Sequence, residues 1–382
     1  MVVFMFWNSK KKLKVLAFSG GSQKSVISLT IALKLEKELK KFNPDKEFIE
    51  YFDTVTAVSS GSIVGSCLVI PSDKNPKKPK YSLNDCYKFF TKGSEDLNSK
   101  NTTWNKLLLF AGVKDYIVSS QEFEKILFQE ADANKNVANL ELSKTIIPIN
   151  IISYDIKNDV PRIWNTYEAR SDPKKDFYLK DAVVASSAIP PLFSKKTTIL
   201  EDQEKLIDYD GAIITSSPLF VSLPYISKVT NTSINDFFII SIGTTIQDSK
   251  KILANFDKQH ILLQAQDYIN ISQQITKPVF DNFLKHVYKE FYKLDLTVPS
   301  EIQYSLYNKN KRKDLDNYNK MIACTLKYID ENEKLFTALA NKIADKKQDI
   351  RTLEKLYDES QFFCENPTEV LSEYSENVRG DL

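Results

Sequence analysis

The sequence predicts a three-layer α/β/α fold with a mainly parallel central sheet, inserted helices and a helical C-terminal region. Three observations predict it. Short runs of apolar and β-branched residues recur at 14–18, 52–58, 145–154, 205–212 and 236–242. The first two each break at small residues and resume as an apolar helix, the strand–turn–helix order of a parallel sheet. From about residue 250 the texture changes to Lys/Asn/Gln-rich segments with Leu, Ile, Phe and Tyr at helical intervals. The expected division therefore sets a helical region over 250–382 apart from the α/β part before it.

The first unit is the strand 14–18, the turn Ser19-Gly20-Gly21-Ser22-Gln23-Lys24-Ser25 and a helix over 26–39. Such a turn is an anion site, because the first helical N–H groups lack partners. A P-loop requires glycines where Phe18 and Gln23 stand, so that use is set aside. An oxyanion hole needs only adjacent backbone amides beside a helix start, and both are present.

The second unit follows at once. Its strand runs to Ser59, flanked two residues away on either side by Ala57 and Gly61. That is the layout of a nucleophile elbow, G-x-S-x-G with alanine in the first glycine position. The competing reading is a packing turn of small residues, with Gly61 and Gly65 on one helix face. Two consecutive β-turn-α units put both turns at the carboxyl edge of the sheet. The glycine-rich loop and Ser59 are thus expected to face one crevice.

A lysine- and proline-rich excursion over 71–80 reads as a loop. Residues 81–140 read either as a helical insertion able to cap the crevice or as ordinary sheet-flanking helices. A strand over 145–154, a turn at 155–159 and a returning strand at 160–164 come next, then a small-residue helix over 179–188 stopped by Pro190 and Pro191. The strand at 205–212 carries Asp208 and Asp210, which alternation places on the same side. Asp210 is preferred as a site residue because Gly211 follows it, with a turn-capping Asp-Gly as the alternative. The run 236–242 reads as the last strand and ends at Gly243. The amphipathic face of the C-terminal helices is expected to pack on the core, with a lipid surface or a partner as the alternative.

Composition narrows the function classes. The chain has 382 residues, 42% hydrophobic and 27% charged, which suits a sizeable globular core. A net charge of +2 gives no global case for nucleic acid. The four cysteines lack metal-site spacing and are expected to be reduced thiols, and His260 and His286 are the only histidines. Neither a metal site nor a cofactor is expected. The apolar start at 1–7 has its positive charges after it, the wrong order for a secretory signal. It reads as a frayed terminus or edge strand, or as a membrane-dipping tip. The expected location is cytoplasmic, peripheral to membranes, with export by another route left open.

Four segments resemble the patatin-like phospholipases, in that family's order: Ser19–Lys24, Ala57–Gly61, Ala185–Phe193 and Asp210–Ala212. The resemblance covers roughly 13–245. It implies a Ser-Asp dyad, with Asp210 as base toward Ser59 and an acyl-enzyme hydrolysed by water. It also implies an oxyanion hole from the amides of Gly20, Gly21 and Ser22, with Lys24, Gly61 and Gly211 in support. Phospholipid or another lipid ester would be the substrate, met at a membrane surface. Ser22, Ser25, Ala57 and Ser62 stand where the family has glycine. The competing readings are an α/β-hydrolase triad of Ser59, Asp210 and His260 or His286, and a catalytically silent lipid- or partner-binding module.

Overall fold

The computed structural model describes residues 11–90, 119–128, 139–190, 193–200, 202–244, 246–247, 276, 278–299, 302, 311–360 and 362–379. The apolar start, most of the 81–140 insertion, Pro191, Leu192 and His260 lie outside the described residues.

The centre is an eight-stranded sheet. Strands β1 (Leu13–Phe18), β2 (Thr54–Val58), β3 (Ile149–Asp155), β4 (Val160–Asn165), β5 (Lys196–Ile199), β6 (Lys205–Asp210), β7 (Phe237–Ile242) and β9 (Phe291–Leu294) belong to it. The order is β5-β6-β3-β2-β1-β7-β9, with β4 on β3. The run β3-β2-β1-β7-β9 is parallel, while β4 and β6 lie antiparallel to β3. A two-residue strand β8 (Ile246–Gln247) pairs with β10 (Thr297–Val298) apart from this sheet.

Alternation along the strands divides the core between two faces. On one face Leu16, Phe18, Phe238, Ile240 and Ile242 join helices α1 (Ser25–Lys40), α2 (Ser60–Val69) and α6 (Leu179–Ser187). On the other, Val15, Ala17, Phe237 and Ile239 meet α7 (Leu219–Thr230) and α8 (278–287). Each such fully buried Val, Leu, Ile or Phe side chain contributes roughly 1.5–3 kcal/mol. Between α2 and α6 come α3 (83–90), α4 (Ser120–Phe128) and α5 (Thr166–Ser171). Phe123 of α4 stacks on Phe193, just beyond α6, with ring centroids 4.1 Å apart.

The C-terminal helices are α9 (Lys311–Glu331), α10 (Glu333–Ile343), α11 (Ile350–Glu359), α12 (Pro367–Glu373) and α13 (Ser375–Arg379). α9 and α10 pack against α1, and Tyr328, Leu335, Phe336 and Leu339 share its core. Two expectations need correction here. β7 is not the last strand, since β9 extends the same sheet from within the Lys-rich region. Nor are all the thiols reduced: Cys324 and Cys364 form a disulfide, their Cα atoms 5.9 Å apart. A parallel bridge between Thr297 and Phe363 brings the second cysteine back to α9. Cys67 and Cys86 are free.

Candidate active site

Pairing register explains how Ser59 and Asp210 meet. β2 pairs with β3 as far as Val58 opposite Ile152. β6 then takes over the same edge of β3, running the other way, with Asp210 opposite Ser153. The end of β2 and the end of β6 therefore abut. Asp210 reaches the carboxyl edge of the parallel strands on an antiparallel strand, which alternation in the sequence does not reveal. Gly211 makes the junction possible, because a Cβ there would sit 2.3 Å from the Ile152 carbonyl oxygen.

Ser59 is the N-cap of α2, with φ 55° and ψ −135°. Such a conformation is costly for a residue with a Cβ and persists only where the surroundings over-determine it. Hydroxyls do that here. The Ser59 N–H donates to Ser186 Oγ at 2.9 Å, and Ser186 Oγ donates to the Ile152 carbonyl at 2.6 Å. The Ser59 carbonyl accepts from Ser62 Oγ at 2.6 Å and from Ser187 Oγ at 3.0 Å. Ser62 thus braces the elbow. Gly61 lets α2 approach β1, since a Cβ there would lie 2.5 Å from the Phe18 carbonyl oxygen.

Ser59 Oγ donates to Asp210 Oδ2 at 2.7 Å, and the other carboxylate oxygen accepts from the Ala212 N–H at 2.8 Å. Asp210 is fully buried. Burial pushes its carboxyl up to about 7, while the bonds from Ala212 and Ser59 pull it down. A carboxylate poised there suits a general base near neutral pH.

The glycine-rich loop lies beside the elbow. A Cβ on Gly20 would come within 2.9 Å of Ser59 Cβ. The Gly20 N–H donates to the Ser216 carbonyl at 2.9 Å, so that amide holds the loop. The Gly21 N–H donates to Ser60 Oγ at 3.1 Å, and Ser25 Oγ donates to the same hydroxyl at 2.8 Å. Ser22 is exposed with φ 57°, a backbone that glycine adopts without strain. Lys24 ends the short turn Ser22–Lys24 ahead of α1 and is half-buried.

Asp208, the other aspartate of β6, is engaged elsewhere. Its Oδ1 accepts from Ser153 Oγ at 2.7 Å and Arg162 Nε at 2.9 Å. Arg162 also pairs with Asp155, and Trp164 Nε1 donates to Ser153 Oγ at 2.8 Å. Of the histidines, His286 is an exposed residue of α8, its Nδ1 2.7 Å from the Asn282 carbonyl oxygen. The hydroxyls of Ser60, Ser186, Ser187 and Thr244 carry no sequence signal of their own. Only the small-residue run at 185–188 hints at two of them. Among the described residues no cluster of His, Cys, Asp and Glu is arranged to hold a metal ion, and no helix is long and apolar enough to cross a membrane.

Comparison with known proteins identifies the family. The sequence model of the family "Patatin-like phospholipase" matches residues 16–222, more than half of the chain. The chain belongs to the patatin-like phospholipase family. It is 26% identical over 264 residues to patatin-like protein 2 of rice (Oryza sativa subsp. indica), a match spanning 64% of each chain. It is 24% identical over 244 residues to a probable inactive patatin-like protein 9 of Arabidopsis thaliana, covering 62% of this chain and 61% of that one. The chain thus spans under two thirds of the length of these relatives. The crystal structure of VipD from Legionella pneumophila aligns with 96% of this chain and 76% of its own at 11% identity and a TM-score of 0.36, too low to bear on fold or function.

Proposed function

We propose that the protein is a lipid acyl hydrolase of phospholipase A type, working through a Ser59–Asp210 dyad. The observation that carries this reading is the 2.7 Å bond from the strained Ser59 hydroxyl to a buried carboxylate. Family membership supports lipid ester as the substrate class, which a peripheral membrane surface would present.

In the first half-reaction Asp210 takes the Ser59 proton as Oγ attacks the ester carbonyl carbon. The developing oxyanion takes N–H donors from Gly21 and Ser22, with Ser60 Oγ giving up the Gly21 amide. Gly20 keeps its bond to Ser216 and holds the loop. The carbon–oxygen bond to the lipid alcohol then breaks, and Asp210 returns the proton to that alcohol. In the second half-reaction Asp210 takes a proton from water, hydroxide adds to the acyl carbon, and Ser59 leaves reprotonated with release of the fatty acid. Losing one oxyanion donor typically costs roughly 3–4 kcal/mol of transition-state stabilisation.

Hydrolysis of a fluorogenic phospholipid by wild type, Ser59→Ala and Asp210→Ala tests the proposal. Both variants are expected to lose about 10³-fold or more in kcat. Equal rates in all three would sink the dyad. An inactive wild type would favour the silent binding module.

A further inference from the structure

The peptide joining Gly20 to Gly21 is held at both ends. Thr244, two residues beyond β7, donates from Oγ1 to the Gly20 carbonyl at 3.0 Å. At the other end the Gly21 N–H reaches Ser60 Oγ at 3.1 Å. In a trans peptide the C=O and N–H point in opposite directions, so fixing the carbonyl fixes the aim of the amide.

Shape reinforces the hydrogen bond. Thr244 is 3% exposed, and its side chain fills the space beside the Gly21 Cα. A Cβ on Gly21 would lie 2.5 Å from Thr244 Oγ1 and 2.6 Å from its Cγ2. The strand end carrying Thr244 is itself anchored, since Ser28 Oγ of α1 donates to the Gly243 carbonyl at 2.8 Å. In sequence Thr244 lies outside the loop, the elbow and the aspartate strand, and beyond the residues 16–222 that the family model matches.

We infer that Thr244 is a positioning residue, whose hydroxyl aims the Gly21 N–H at the place where the oxyanion forms. Ser60 Oγ occupies that amide at rest. The inference rests on the serine hydrolase reading of Ser59.

The test compares full-length wild type with Thr244→Val and Thr244→Ser on a water-soluble p-nitrophenyl ester. Valine keeps the shape and removes the donor, so kcat is expected to fall about tenfold, the rate equivalent of one hydrogen bond. KM is expected to stay within about twofold, because the oxyanion forms only after binding. The midpoint of the pH–rate profile is expected not to move, since Asp210 is untouched. Serine keeps the hydroxyl and is expected to restore most of the rate. A Thr244→Val enzyme with wild-type kcat overturns the inference. If the valine variant fails to fold, the serine variant decides: a tenfold loss there shows that the methyl packing, not the hydroxyl, is what matters, and overturns it too. A wild type that hydrolyses no ester, and whose Ser59 is not labelled by a fluorophosphonate, instead overturns the hydrolase reading beneath it.

Discussion

Asp208 and Asp210 stand two residues apart on β6, on the same side of the strand and both fully buried. Asp208 is given a cation: the Arg162 guanidinium and the Ser153 hydroxyl share its Oδ1. Among the described residues Asp210 is given none, only the Ala212 N–H and the Ser59 hydroxyl. Burial raises both carboxyls, but Arg162 opposes the rise at Asp208, whereas at Asp210, which reaches about 7, no cation among the described residues does so. The first arrangement neutralises a charge and ties β3, β4 and β6 together. The second keeps a proton acceptor close to its switching point and aims it at one hydroxyl. In the proposed mechanism these two identical side chains divide stability and chemistry between them, and what separates them is the partner each fold position supplies.

The largest expected effect that probes this contrast is on rate. Asp210→Asn should lower kcat about 10³-fold or more, while Asp208→Asn should leave the rate per folded molecule within about threefold. Assays normalised to the folded protein concentration, read from circular dichroism, check both, and a comparable loss in the two variants would erase the distinction.

Stability should show the reverse. Asp208→Asn removes one member of a buried ion pair and is expected to cost about 2–4 kcal/mol, read from the urea midpoint. The smallest effect is a gain. A folded-state pKa of about 7 lies above the ordinary carboxylate value. The proton is therefore bound more tightly in the folded protein than in the unfolded chain. The contribution of Asp210 to stability is complete below the ordinary value and is lost as pH rises through about 7. Asp210→Asn should accordingly stabilise the protein at pH 8, on the order of 1–3 kcal/mol, and change little at pH 4. Urea denaturation at the two pH values measures this, and a loss at pH 8 would speak against an uncompensated buried carboxylate.

Much of this architecture can be read from the chain. The strands at 14–18 and 54–58 announce themselves by β-branched and apolar residues, and the turns after them by small ones. Gly211 marked Asp210 over Asp208, and the structure shows a backbone reason for that glycine in its contact with Ile152. What the chain conceals depends on tertiary pairing. The antiparallel course of β6 follows from its register on β3, and register is set by neighbours rather than by local pattern. β9 is four residues of mixed character, Phe291–Leu294, in a Lys-rich stretch, and only its seat beside β7 makes it a strand. Cys324 and Cys364 are 40 residues apart, and their meeting follows from how the segment after α11 returns. The supporting hydroxyls of Ser186, Ser187 and Thr244 are ordinary small residues until the backbone atoms they bond to are in place.

In the proposed mechanism a buried aspartate, with no histidine between, activates Ser59. The most direct measurement is kcat/KM against pH for wild type and for His260→Ala/His286→Ala. One rising limb with a midpoint at about 7 is expected in both proteins, at similar height. Loss of the limb or of the activity in the histidine variant would contradict it.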